Sequence, residues 1–103
     1  MYYISSSKIH GKGIFIDRDL ESEKPIGIGI DFKYFFLPYV TSDFGSYINH
    51  SNNPNTKLEY MDNKYYVVSK KYLKKDTEIT LNYRDTPWYI SKPDPNWKWY
   101  NYI

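Results

Sequence analysis

Few residues of this chain can do chemistry. It has no cysteine and only two histidines, which excludes thiolate nucleophiles, disulfides and Cys-zinc sites. The densest run of side-chain donors and acceptors is Tyr47-Ile48-Asn49-His50-Ser51-Asn52-Asn53-Pro54-Asn55. Polar groups set directly behind two apolar residues point to a backbone held in place to meet a ligand. Two distant segments go with it: His10-Gly11-Lys12-Gly13, a glycine turn that allows close approach, and Glu78-Ile79-Thr80-Leu81-Asn82-Tyr83. Each is ordinary by itself. A lone His50 reads as a satisfied structural histidine more often than as a ligand, the glycine pair reads as a turn, and Tyr83 is one of 13 tyrosines.

The elements that must position these segments are short strands. Tyr2-Tyr3-Ile4 and Ile14-Phe15-Ile16 read as strands around a polar loop from Ser5 to Gly13. Ile26-Gly27-Ile28-Gly29-Ile30 alternates with period two, isoleucines on one face and a bare glycine face on the other. Asp31 to Tyr39 is a strand or a single helical turn. Lys57 to Tyr60 and Tyr65 to Ser69 form a hairpin about Asp62-Asn63, a pair that tolerates positive φ. Thr77 to Tyr83 alternates again, with Ile79, Leu81 and Tyr83 on one face. From Arg84 onward the chain is irregular and aromatic, with Trp88, Trp97 and Trp99 among three prolines.

At 103 residues the chain makes one domain, residues 1–103. Ala and Gln are absent and aromatics are 20%, a balance that favours β-structure over a helical bundle. AT-rich coding accounts for part of the tyrosine surplus. Net charge is +2, too small to argue for nucleic acid. The cluster Lys70, Lys71, Lys74, Lys75 reads first as a solvated turn. Lysines interleaved with tyrosines over Tyr65–Lys75 leave a single-stranded nucleic-acid binder as a minor alternative. No leader-like segment and no stretch of ~20 apolar residues is present, so a soluble, intracellular protein is expected.

Taken together and in order, the three motifs resemble the SET domain, the protein-lysine methyltransferase family. The Gly-x-Gly turn after a basic residue reads Lys8-Ile9-His10-Gly11-Lys12-Gly13-Ile14-Phe15. The Asn-His-Ser…Pro-Asn motif is intact at Asn49–Asn55. The Glu-Glu-hydrophobic-Thr-x-x-Tyr strand matches at Asp76–Tyr83 except for Thr77. The likeness covers about residues 5–92, and the chain looks most like the minimal viral members; Trp88-Tyr89-Ile90-Ser91-Lys92-Pro93 echoes their ending.

The resemblance implies a mostly β fold, a β-clip of short strands in small sheets with a knot-like C-terminal segment. It implies S-adenosyl-L-methionine as cofactor, held by Lys12, Gly13, Asn49, His50 and Trp88, and a lysine-bearing protein or peptide as substrate, histone tails being the commonest targets. Tyr83 is the catalytic residue it implies, and it implies no metal. Two departures stand out. Only Phe32 to Phe44 can serve as the insert that shapes the substrate groove, so recognition is reduced or supplied by a partner subunit. Pro87 stands where small relatives carry a channel aromatic, which Tyr89, Tyr47 or Tyr3 would have to replace. A non-catalytic β-clip binding module is the alternative reading, and the exposed aromatics predict a homodimer.

Overall fold

The structure is a computed structural model and describes residues 1–87 and Tyr89. Among the described residues eight strands make three small sheets, so the chain is mostly β. Strands β1 (Tyr2–Ser6) and β2 (Lys12–Ile16) form an antiparallel pair. Strands β3 (Pro25–Lys33), β4 (Leu37–Val40), β6 (Thr56–Met61) and β7 (Lys64–Ser69) form a four-stranded sheet in the order β4-β3-β7-β6. Strands β5 (Asn49–His50) and β8 (Thr80–Leu81) are two residues each and pair in parallel. Single 3-10 turns follow at Gly45–Tyr47 and Tyr83–Asp85.

The hairpin expected about Asp62-Asn63 is present. Both residues take positive φ, 52° and 61°, and Met61 pairs with Lys64 across them. Asp31 to Tyr39 resolves as a second hairpin rather than a helical turn, with Lys33 paired to Leu37. The bare glycine face is not found. Two register shifts in β3 break the alternation, the Phe44 ring covers Gly27, and Val67 and Leu58 cover Gly29. Missing side chains there are filled by neighbours because interiors pack close to crystal density.

The core is aliphatic and central. Ile14, Ile16, Ile26, Phe44, Ile48, Val67, Leu73, Ile79 and Leu81 are buried together, and Tyr2, Tyr47, Leu58 and Tyr83 pack on them. Ile79, Leu81 and Tyr83 do share one face, but only Thr80–Leu81 is regular strand. Thr80 on the other face is buried as well, at 7% exposure. Residue 88 and residues 90–103 lie outside the described residues, and with them Trp88, Trp97, Trp99, Ser91-Lys92-Pro93 and the knot-like segment. Among the described residues no helix is long and apolar enough to cross a membrane.

Ile79 is fully buried in the core cluster, and its N–H bonds the Ile14 carbonyl at 2.9 Å. Ile79→Ala removes those contacts and leaves a cavity, so it is expected to cost about 2–5 kcal/mol. The check is a urea titration, in which the midpoint falls with little change of slope.

Candidate functional site

Parallel strands need a crossover connection. Here the β6–β7 hairpin and the lysine turn provide it, returning the chain so that β8 lies beside β5. Asn49 then pairs with Thr80 and His50 with Leu81, and the Ser51 N–H extends the ladder to the Leu81 carbonyl at 2.9 Å. So short a pairing needs side-chain support, and Asn55 supplies it. Its amide nitrogen donates to the Glu78 carbonyl at 2.9 Å, and its amide oxygen accepts from the Thr80 N–H at 2.8 Å. Thr56 adds a hydroxyl bond to the Thr80 carbonyl at 2.6 Å. The Pro-Asn turn of the second motif is thus a clamp on the third.

Asn49 ties the first motif to this pair. Its side-chain nitrogen has two hydrogens and faces four acceptors: Glu78 Oε2 at 2.9 Å, Ser7 Oγ at 3.1 Å, the His10 carbonyl at 3.1 Å and the Lys12 carbonyl at 3.3 Å. The charged oxygen of Glu78 is the strongest of these partners. Ser7 donates to the same carboxylate at 2.8 Å and accepts from the Ile9 N–H at 2.9 Å, which folds the loop back on itself. Gly13 lies against the group so closely that a Cβ there would collide with the Glu78 carboxylate. At Gly11, φ is +51° and a Cβ would meet nothing within 4 Å, so the outer side of the turn is open to a ligand.

His50 ties the pair to Tyr83. The Tyr83 N–H donates to Nδ1 at 3.0 Å, so Nδ1 carries no proton. The proton sits on Nε2 and is given to Asn52 Oδ1 at 3.0 Å, an oxygen that also accepts from Arg84 Nη1 at 2.6 Å. The ring is buried, with 1% exposure. Burial lowers its pKa below the usual histidine value, and the nearby Arg84 charge acts the same way against the Asn52 bond. His50 is therefore a neutral clamp on the backbone of Tyr83, not an acid or base.

The Tyr83 hydroxyl donates to the Ile48 carbonyl at 2.5 Å, and burial pushes its pKa up to about 12. It faces a cavity of about 300 Å³ lined by Ile30, Val40, Ile48, Leu58, Leu81 and Tyr89 among others. The wall is mostly apolar, with Ser46, Thr86 and the two tyrosines as its polar side chains. Of the three tyrosines that could replace an aromatic at Pro87, Tyr89 lines this cavity. Tyr47 packs on the core, and the hydroxyl of Tyr3 bonds Asp76 at the surface at 2.8 Å.

Lys12, Gly13, Asn49, His50 and Tyr83 are thus brought into one connected network, whereas Trp88 lies outside the described residues. Lys12 joins through its carbonyl, its side chain being exposed. Sequence reasoning missed Ser7, Asn55 and the carboxylate of Glu78. Glu78 and Asn55 stood inside recognised motifs and could have been found there; Ser7 carried no signal, since it is one of three consecutive serines. The lysine cluster is exposed throughout, as a solvated turn should be. Among the described residues no group of three or more His, Asp or Glu is placed to hold a metal.

A family profile described as "SET domain" matches residues 3–84. A search of curated proteins returned no match. Among solved structures, the chain is similar to a Plasmodium falciparum protein described as a candidate histone methyltransferase. The TM-score is 0.59 at 19% identity, over 77% of this chain and 89% of that one. At that identity the likeness is one of fold.

The neutral clamp has a pH consequence. His50 titrates near 6.5 when unfolded and lower when folded, so the folded state binds fewer protons. Its contribution is complete above about pH 6.5 and is lost as pH falls through the lowered folded value. The thermal midpoint is expected to drop between pH 7 and pH 5.5. His50→Gln, which cannot titrate, is expected to flatten that drop. Asp17, held down to about 2 chiefly by Arg18, acts only at lower pH.

Proposed function

The chain belongs to the SET-domain family, and from that membership we propose that it is a protein-lysine N-methyltransferase using S-adenosyl-L-methionine. The observation that carries the reading is Tyr83: a tyrosine fixed at both its backbone N–H and its hydroxyl, at the wall of an apolar cavity. A cavity of this size and character suits the aliphatic stem of a lysine. Desolvation there disfavours the ammonium and favours the neutral amine that must attack. The Tyr83 hydroxyl donates its hydrogen bond to the Ile48 carbonyl, which leaves its oxygen able to accept a hydrogen bond from the amine and orient it. With a pKa near 12, the phenol stays neutral and does not compete as an anion. Alignment and exclusion of water are what such a displacement needs from a protein.

The residues present fit the cofactor. The open turn at Gly11 and the main chain of Lys12 and Gly13 offer polar groups, and Asn49 and His50, whose side chains are bonded inward, fix the backbone beneath them. The Glu78 carboxylate beneath them suits a ligand bearing an ammonium and a sulfonium. When bound, the cofactor supplies an electrophilic methyl group. Lys12, Gly13, Asn49 and His50 would hold it, with Trp88 in the same role by family likeness. The neighbour's description makes a histone-tail lysine the first substrate to assay.

Calorimetry with S-adenosyl-L-methionine is expected to show saturable binding, and absence of heat at millimolar cofactor sinks the proposal. Tyr83→Phe is expected to lower methyl transfer to lysine peptides by about 100-fold or more while cofactor affinity stays within a few-fold. Cofactor binding without turnover on any lysine-bearing protein would instead assign the chain to the non-catalytic binding modules.

A further inference from the structure

Main-chain hydrogen bonding leaves the outer edge of β1 bare. The Ser7 N–H bonds the Gly11 carbonyl at 2.8 Å, and the Asp17 N–H bonds the Met1 carbonyl at 3.0 Å. Both pairs continue the register that sets Tyr3 against Phe15 and Ser5 against Gly13. Bonded pairs of an antiparallel ladder alternate with unbonded ones, so Tyr3 and Ser5 direct their main-chain groups to β2. Tyr2, Ile4 and Ser6 turn theirs the other way. The far side of β2 shows the same alternation: the Ile79 N–H bonds the Ile14 carbonyl at 2.9 Å, and the Ile16 N–H bonds the Thr77 carbonyl at 3.1 Å. Among the described residues nothing bonds the outward groups of Tyr2, Ile4 and Ser6, and β1 is exposed from Tyr3 to Ser6.

The four-stranded sheet, by contrast, guards both of its outer edges. Pro38 removes an N–H from β4. Strand β6 carries Lys57 and Glu59, charges that discourage strand addition. Strand β1 reads Tyr2-Tyr3-Ile4-Ser5-Ser6, with no proline, no charge and no register shift. Its shape is held from within the chain. Tyr2 packs on Phe44 with ring centroids 4.6 Å apart, and Tyr3 stacks on Phe15 at 5.5 Å. A regular, uncharged edge of this kind is a preformed template for another strand.

The geometry points to β1 as a docking edge for an extended, uncharged segment of a partner protein, which adds as a further strand and braces the turn proposed to hold the cofactor. Three observations select that occupant. The outward donors and acceptors recur every second residue, about 7 Å apart, a spacing matched by another extended backbone. Strand β1 has no charge to pair, and Tyr3 and Ile4, 38% and 40% exposed, favour β-branched or aromatic residues opposite them. The edge is five residues, about 17 Å long. That is too little for the ~800 Å² that a stable interface between folded bodies takes from each partner, so a short segment fits it better than a second copy of the chain. Position gives the docking a consequence. Ser6 directly precedes Ser7, whose hydroxyl donates to the Glu78 carboxylate at 2.8 Å and accepts from the Ile9 N–H at 2.9 Å. A strand bonded to Ile4 and Ser6 therefore steadies Ser7, and with it the turn through Gly11 to Gly13.

Amide hydrogen exchange of the full chain, read residue by residue by nuclear magnetic resonance, tests this with the blocked peptide acetyl-Thr-Val-Thr-Val-Thr-amide as probe. Saturating peptide is expected to slow exchange about 5-fold or more at Tyr2, Ile4 and Ser6, while Tyr3 and Ser5, already bonded to β2, keep their rates. Ile4→Lys sets a guarding charge on the edge and should abolish the slowing with the far-ultraviolet dichroism unchanged. The same peptide should tighten S-adenosyl-L-methionine binding about 5-fold. That arm rests on the methyltransferase reading and the exchange pattern does not, so the two can fail separately. No slowing at about 10 mM peptide, or slowing without alternation, overturns the docking edge. Alternating protection that grows with protein concentration in the absence of peptide overturns it in favour of a second copy. A cofactor affinity indifferent to bound peptide overturns the bracing of the turn.

Discussion

Everything at the site depends on a parallel pairing only two residues long. Asn49–His50 beside Thr80–Leu81 joins parts of the chain that are 31 residues apart, and its own ladder is too short to be stable alone. It persists because buried polar groups around it have few alternatives. Asn55 satisfies a carbonyl and an N–H of the 78–80 segment at once, Asn49 binds the Glu78 carboxylate, and His50 takes the next free N–H, that of Tyr83. Each partner left unmet would cost about 1–3 kcal/mol, so the network holds as a unit.

The network places the structural burden on the neighbours of Tyr83, which fix its backbone and its hydroxyl. A histidine at the centre of a polar motif invites an acid-base role, yet its Nδ1 is occupied by a backbone donor and its Nε2 proton by Asn52. A neutral, buried imidazole of this kind fixes geometry. The tyrosine it holds is anchored a second time through its hydroxyl. Orientation to within a fraction of an ångström is what such a site must supply, and two anchors on one side chain achieve it in a domain with few long elements.

Local preference and tertiary structure agree almost everywhere in this fold, which makes the disagreement at Tyr34-Phe35 informative. Sequences whose local choices match the fold are the ones that fold well, and violations concentrate where function is at stake. In the neighbouring hairpin Asp62 and Asn63 take the same positive φ as Tyr34 and Phe35, but in a two-residue loop where the aromatic loop has three.

Sequence by itself determined the β class, the Asp62-Asn63 hairpin, the three motifs and, through them, which of 13 tyrosines to single out. Those features are local: composition, period-two alternation and turn chemistry act over a few residues and are written where they act. Tertiary structure alone decided that the glycine face of β3 is covered, that Asp31–Tyr39 is a hairpin, and that Tyr89 supplies the aromatic wall of the cavity. It also decided that Ser7, Asn55 and Glu78 hold the site together. The first motif was legible as Gly11 and Gly13 but not as Ser7, because the serine acts through a carboxylate 71 residues away and nothing in its neighbourhood encodes that distance. Contacts of such range follow from how the strands pack, and only the folded chain brings their two ends to one place.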